Sequence, residues 1–168
     1  VVHSSGSMDW NFLKTKVTGR YHVSLLAACA AMHYAIKHGS YISAVNFSNQ
    51  VVKEDWTNKY LRIEKLLLRY QGNGTVLPTK TILQLAKQAD QKSMILLISD
   101  LELGNWEPTK EAFQKLMVMG HKLVGFFIDG DPDILARDDF QELISQGAKF
   151  YCISKMEDLV GLVISEVK

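Results

Sequence analysis

The apolar run at residues 94–98 constrains the fold of this chain more than any other stretch. A short run that is apolar at every position fits a strand buried on both faces, as in a parallel sheet covered by helices. Residues 123–128 form a second run of this kind. The first run ends at Ser99 and Asp100, and the second at Asp129 and Gly130. Together the two runs predict the core of an α/β sheet.

Segments with helical periodicity separate the predicted strands, and this alternation favours βαβ units with helices on both faces of a mostly parallel sheet. A turn at residues 48–50 predicts a hairpin, whose returning strand would be the one antiparallel edge strand. The predicted helices cover residues 19–38, 61–70, 81–89, 108–119, 134–146 and 156–167. The remaining predicted strands cover residues 1–2, 41–47, 51–56 and 150–153.

Composition excludes several classes of function. The chain is 47% hydrophobic and 22% charged, as is usual for a soluble globular protein, and its net charge is +1. This balance predicts no nucleic-acid or membrane partner, and no apolar run is long enough to span a bilayer. Cys29 and Cys152 lie in apolar segments, and no signal peptide is visible. We therefore expect a reducing, cytoplasmic compartment and no disulfide framework.

Residues 1–168 are interpreted as one domain, because neither an internal repeat nor a linker interrupts the pattern. A central parallel strand needs about five residues. Only Val1 and Val2 precede His3. We therefore expect the domain to be cut within its first strand and the natural protein to continue upstream.

Three polar segments stand out. One follows the first predicted strand, one follows the fourth, and the third lies before the helix predicted at residues 81–89. In open α/β sheets, binding sites form at the carboxyl ends of the strands. The sequence H-S-S-G-S begins at His3, G-N-G-T ends at Thr75, and S-D ends at Asp100. Together these segments resemble the metal-ion-dependent adhesion site of von Willebrand factor A (vWA) domains, and the resemblance covers essentially the whole chain. It implies a Rossmann-like three-layer fold with a six-stranded sheet in the order 3-2-1-4-5-6 and strand 3 antiparallel.

The vWA pattern is D-x-S-x-S after the first strand, a threonine in a later loop and an aspartate after the fourth strand. Ser5 and Ser7 match the serines, Thr75 the threonine and Asp100 the later aspartate, whereas His3 stands in place of the first aspartate. Magnesium prefers oxygen ligands, and imidazole nitrogen suits zinc, copper or nickel better. The lost charge predicts a divalent-cation affinity (magnesium or manganese) that is lower by about ten-fold or more, or no cation at all.

Simpler interpretations of the same residues stay open. Ser5, Gly6 and Ser7 are also typical of a tight turn whose hydroxyls bond local backbone groups. His3 could be a buried histidine with hydrogen bonds to Asp100 or to a serine. The acidic residues after the fifth predicted strand are more typical of turns and helix caps than of ligands.

The resemblance implies a protein-interaction module, with an AAA+ ATPase or another subunit of a complex as its partner. Met8, Trp10 and Trp106 follow the first and fourth strands, and aromatic side chains are enriched at interfaces, so we expect them to contact the partner. The alternative is a metal-dependent or serine-based hydrolase on the same fold. A serine nucleophile requires a base and an orienting acid, and the sequence contains no complete catalytic constellation. An acid or base within reach of Ser5 would favour the enzyme.

Overall fold

The computed structural model describes residues 1–8 and 19–168, with the side chains of all of these except Met156 and Glu157. The strands are β1 (Val2–His3), β2 (Ile42–Phe47), β3 (Val51–Thr57), β4 (Met94–Ser99), β5 (Lys122–Ile128) and β6 (Lys149–Ile153). They form a 6-stranded sheet in the order β3-β2-β1-β4-β5-β6. Every neighbouring pair is parallel except β2 and β3, which are antiparallel. The predicted α/β fold, strand order and antiparallel edge strand are confirmed.

Helices cover both faces of this sheet. They are α1 (Arg20–Lys37), α2 (Tyr60–Leu67), α3 (Thr79–Lys87), α4 (Trp106–Val118), α5 (Asp138–Ser145) and α6 (Met156–Val167). Buried residues of α1, α2 and α6 share one hydrophobic cluster with the sheet. Buried residues of α3, α4 and α5 share the other. Among the described helices, none is long and apolar enough to cross a lipid bilayer.

The strand β5 shows why a continuous apolar run belongs at the centre of this sheet. Val124, Phe126 and Ile128 belong to the cluster on one face. Leu123 and Phe127 belong to the cluster on the other. Successive side chains of a strand point to opposite faces, so a strand with a helix layer on each side must be apolar at every position.

The single helix predicted over residues 134–146 is wrong. A 3₁₀ turn, Pro132–Ala136, is followed by extended backbone at Arg137 (ψ 144°), and α5 begins at the next residue. Asp131 begins the 3₁₀ turn, because its side chain accepts a hydrogen bond from the backbone N–H of Asp133 at 3.0 Å. This confirms the interpretation of Asp131 as a turn and cap residue.

The helix α2 ends at Leu67, three residues before the predicted end at residue 70. The buried side chain of Asn46 explains the early end. Its amide group donates to the carbonyl oxygens of Leu66 (3.2 Å) and Arg69 (2.7 Å). Carbonyl oxygens at a helix end need partners from outside the helix. Asn46 on β2 supplies them and directs the chain toward the edge where β1 and β4 end.

Candidate binding site at the carboxyl ends of β1 and β4

Three hydroxyl groups converge at the carboxyl edge of the sheet. Ser5 Oγ lies 2.9 Å from Ser7 Oγ and 3.0 Å from Thr75 Oγ1. Ser5 is buried, whereas Ser7 and Thr75 are half-buried. Residues from two loops that are 70 positions apart in the sequence therefore form one polar cluster.

Backbone hydrogen bonds hold these two loops together. The N–H of Gly6 donates to Asn73 O at 3.0 Å, and the N–H of Gly72 donates to Ser4 O at 2.9 Å. Gly72 and Asn73 both have left-handed backbone conformations, with φ of 67° and 66°. Glycine adopts this region without steric cost, and asparagine tolerates it better than most residues. The G-N-G sequence therefore allows the turn that delivers Thr75 to Ser5.

His3 connects this cluster to β4 from inside the protein. Its ring is fully buried, and Nδ1 lies 3.0 Å from Asp100 Oδ1 and 3.2 Å from Ser99 Oγ. On its other side, Nε2 lies 3.0 Å from Thr75 Oγ1. The ring stacks on Phe47 with a centroid separation of 5.1 Å. The expected hydrogen bonds from His3 to Asp100 and to a serine are both present.

Asp100 is the acid of the site, and its side chain is only 3% exposed. Burial raises the pKa of Asp100, but its interactions with His3, with the nearby Ser7 hydroxyl and with the backbone N–H of Glu102 outweigh this effect, so the pKa lies below its usual value. Oδ1 accepts the bond from Glu102 N at 3.2 Å. Oδ2 has no partner of hydrogen-bonding geometry among the described residues. The site therefore contains an ionised, mostly buried carboxylate with one oxygen still able to accept.

The spacing of the three hydroxyl oxygens suits a magnesium ion, but the negative charge of the site is low for one. At a ligand distance of about 2.1 Å, neighbouring ligands of an octahedral ion lie about 3.0 Å apart. The separations of Ser5 from Ser7 and from Thr75 match this value. However, the described residues of the site include one carboxylate, Asp100, and His3 already contacts one of its oxygens. In the described part of the chain, no group of three or more His, Cys, Asp or Glu side chains could hold a metal ion. These donors fit magnesium poorly.

Arg20, the first residue of α1, is a site residue that the sequence analysis missed. Its Nε donates to Asp129 Oδ2 at 2.8 Å, and its Nη1 donates to the carbonyl oxygen of Ser7 at 3.2 Å. The side chains of Arg20 and Asp129 are 35% and 40% exposed. A cation at a helix N-terminus is unfavourable for the helix dipole, and that mismatch was the signal in the sequence. Arg20 links the loop after β1 to the end of β5.

The two described residues among the three predicted to contact a partner lie in different surroundings. Met8 is wholly buried and belongs to the hydrophobic core, so its side chain does not reach the surface. Trp106 is half-buried, because its ring stacks on Phe140 at 4.6 Å and its Nε1–H donates to Asp139 Oδ2 at 2.6 Å. Trp106 therefore joins α4 to α5 and presents only part of its ring. Trp10 lies outside the described residues.

Among the described residues, no acidic or basic side chain contacts the Ser5 hydroxyl. The side-chain partners of its hydroxyl within the described residues are the hydroxyls of Ser7 and Thr75. The imidazole of His3 contacts Thr75 instead. A serine nucleophile requires a base beside its hydroxyl, and within residues 1–8 and 19–168 the contacts of Ser5 do not include one.

Comparison with known proteins gives matches at the level of structure alone. No protein-family model matches the chain, and neither does any curated protein. The pilus adhesin SpaC of Lactobacillus rhamnosus GG matches with a TM-score of 0.71 and 12% identity, over 99% of this chain and 29% of that chain. A mutant of the PilB minor pilin of Streptococcus sanguinis matches with a TM-score of 0.71 and 14% identity, over 99% of this chain and 59% of that chain.

A von Willebrand factor type A protein from Catenulispora acidiphila matches with a TM-score of 0.64 and 13% identity, over 99% of this chain and 40% of that chain. The protein BatB of Bacteroides thetaiotaomicron matches with a TM-score of 0.64 and 12% identity, over 99% of this chain and 95% of that chain. The chain thus spans less than two thirds of the adhesin, of the pilin and of the vWA protein. At these identities the matches establish a vWA-like Rossmann fold.

Proposed function

We propose that this chain is a protein-interaction module that binds its partner at the carboxyl edge of the sheet without requiring a divalent cation. The observation that carries the proposal is the position of His3, which bonds both to Asp100 and to Thr75. Adhesin and pilin neighbours of the same fold support an interaction role at a coarse level. Because one fold hosts many functions, the argument rests on the site.

His3 provides the interactions that a bound cation would otherwise provide. A buried carboxylate without a partner is strongly destabilising. Nδ1–H of His3 donates to the ionised Asp100, since a carboxylate can only accept. The same ring fixes the Thr75 hydroxyl from its other nitrogen. The loops of the site are thus held in place by protein groups, and a magnesium or manganese ion would add little to their order.

Within the described residues, the surface offered to a partner at this edge includes polar loop atoms. Gly6, Asn73, Gly74 and Glu102 are exposed at this edge, beside the half-buried hydroxyl of Thr75. Backbone groups and hydroxyls on loops held by a rigid sheet are typical binding elements. The resemblance to vWA domains makes an AAA+ ATPase, or another subunit of a complex, the partner to test first.

The test is a capture experiment with the chain as bait, with and without EDTA, followed by affinity measurement on the purified partner. Glu102→Arg reverses an exposed charge at the carboxyl end of β4, and Asp90→Arg makes the same reversal before its amino end. We expect EDTA and Asp90→Arg to leave the affinity unchanged and Glu102→Arg to lower it about ten-fold or more. Loss of binding in EDTA would reject cation independence, and equal effects of the two variants would move the interface to another face.

One contact favours a second candidate, a hydrolase with Thr75 as its nucleophile. His3 lies between Asp100 and Thr75, with 3.0 Å on each side, and an imidazole between an acid and a hydroxyl is the arrangement of a catalytic triad. A fluorophosphonate probe would label Thr75 in the unmodified chain and not in Thr75→Ala. An unmodified chain that takes up no probe would reject this candidate. The interaction module remains the preferred function, because His3 is fully buried.

A further inference from the structure

The loop that delivers Thr75 contains the one Asn-Gly pair of the sequence, Asn73 and Gly74. Both residues are exposed. Every other asparagine in the chain is followed by a residue with a side chain. An asparagine before glycine is the pair in which the following backbone nitrogen reaches the side-chain carbonyl with least hindrance, because glycine has no Cβ.

The two groups that would react are free of strong contacts. Among the described residues, the backbone N–H of Gly74 donates no hydrogen bond. The carboxamide of Asn73 makes one long contact there, from Nδ2 to Gln71 O at 3.4 Å. A Cβ placed on Gly74 would meet no heavy atom within 4 Å. The attacking nitrogen and the carboxamide are therefore held neither by strong hydrogen bonds nor by packing, and cyclisation requires the opening of one backbone bond on this peptide, from Gly6 N to Asn73 O.

We propose that Asn73 is a deamidation site that alters the binding edge as the protein ages. The nitrogen of Gly74 bonds to Cγ of Asn73, and the bond from Cγ to Nδ2 breaks, so that ammonia leaves and a succinimide forms. Water then opens the ring at either carbonyl, giving aspartate or isoaspartate at position 73. The overall change consumes one water and releases one ammonia, with no oxidant or reductant.

Both products act on the contacts that hold the site. Each adds one negative charge next to the loop that carries Ser5 and Ser7. Isoaspartate also routes the main chain through the side-chain carbons, which lengthens it between residues 73 and 74. The carbonyl of Asn73 accepts from Gly6 N at 3.0 Å, so rerouting the chain there loosens the loop after β1. Any effect on partner binding rests on the proposed function, whereas the chemistry does not.

The test is incubation of the purified chain in mildly alkaline buffer, followed by tryptic mass spectrometry and isoaspartate-specific enzymatic methylation. The peptide of residues 70–80 should gain the mass of an amide-to-acid conversion and accept methyl groups. Asn49 lies in another exposed turn and is followed by Gln50, so its peptide is the internal control. Gly74→Ala is the matched variant, because its methyl group has open space and Gly74 lacks a positive φ.

We expect Gly74→Ala to slow conversion about ten-fold or more, since its methyl group crowds the attacking nitrogen. Amide hydrogen exchange at Gly6 should accelerate in the aged chain and not in aged Gly74→Ala. An unchanged mass of the 70–80 peptide, or equal conversion in Gly74→Ala, would overturn the proposed site. Conversion with unchanged exchange at Gly6 would overturn its effect on the binding edge. These readouts involve no partner, so their failure is distinct from failure of the proposed function.

Discussion

Two buried histidines lie at opposite ends of the strands, one at the carboxyl edge of the sheet and one at the amino edge, and their surroundings differ. His3 ends β1 at the carboxyl edge and has three side-chain partners, Asp100, Ser99 and Thr75. His121 precedes β5 at the other edge, and its Nδ1 accepts the backbone N–H of Ser93 at 3.0 Å. Both are nearly inaccessible, with 0% and 8% exposure.

The difference shows what distinguishes a histidine of a candidate site from one with a purely structural role. The distinguishing feature is the set of hydrogen-bond partners and not the burial. Backbone groups must be satisfied wherever they are buried, so the bond between His121 and Ser93 needs no functional explanation. Around His3, polar side chains from three loops converge and reach the surface at Thr75. Such a network is costly unless every member is satisfied, so its presence at a loop edge favours a binding role.

Replacing each histidine by alanine should give the largest difference between the two edges, measured as the loss in the free energy of unfolding. His3→Ala removes the donor to a buried carboxylate and leaves a cavity, so we expect a loss of about 3–5 kcal/mol in the free energy of unfolding. His121→Ala leaves one backbone N–H without its partner and should cost about 1–3 kcal/mol. Urea denaturation of both variants measures the difference. Equal losses in the two alanine variants would contradict the distinction between the two histidines. The control is His3→Gln, which keeps a hydrogen-bond donor and should recover part of the stability lost in His3→Ala.

A smaller effect concerns the cation. His3→Asp adds a carboxylate, and we expect magnesium affinity to rise by roughly ten-fold or more, since a nearby negative charge stabilises a bound cation by a few kcal/mol. Isothermal titration with magnesium measures this, and His3→Asn is the matched control because it adds no charge. If the unmodified chain and His3→Asp bind magnesium equally tightly, the argument from lost charge is wrong.

The strands and helices could be predicted from periodicity and turn signals, whereas the strand order was implied by the resemblance to vWA domains. The buried strands β4 and β5 are apolar at every position, and the antiparallel β3 follows from the turn at residues 48–50. The convergence of Ser5, Thr75 and Asp100 was implied by the resemblance to the vWA adhesion site, and it agrees with the rule that sites form at the carboxyl ends of parallel strands.

Contacts between distant residues could not be predicted. The early end of α2 depends on Asn46, which belongs to another element and lies 20 positions before its helix-end partner Leu66. The burial of Met8 depends on the short 3₁₀ turn at Gly6–Met8, which carries no hydrophobic period. The role of Arg20 depends on Asp129, 109 positions away. For α2 and for Arg20, the deciding interaction joins elements whose relative position the sequence pattern leaves open.

The smallest expected effect is on the pH dependence of folding stability. The two edges should differ in the pH range over which they lose stability. Burial lowers the pKa of His121 below 6.5, so the unfolded chain binds a proton more readily than the folded one. The stability contributed by this group is therefore complete above pH 6.5 and is lost as pH falls through the lower, folded pKa. Asp100 also has a lowered pKa, but its contribution is lost only below about pH 4, where carboxylates titrate.

Urea midpoints measured from neutral to mildly acidic pH should therefore fall, and His121→Asn should reduce the slope. Asparagine is the suitable replacement because its side-chain oxygen can accept the N–H of Ser93 without titrating. Asp100→Asn is the control, since it should leave the slope in this range unchanged and alter it only at lower pH. The assignment of the mildly acidic range to His121 would be wrong if His121→Asn kept the full slope.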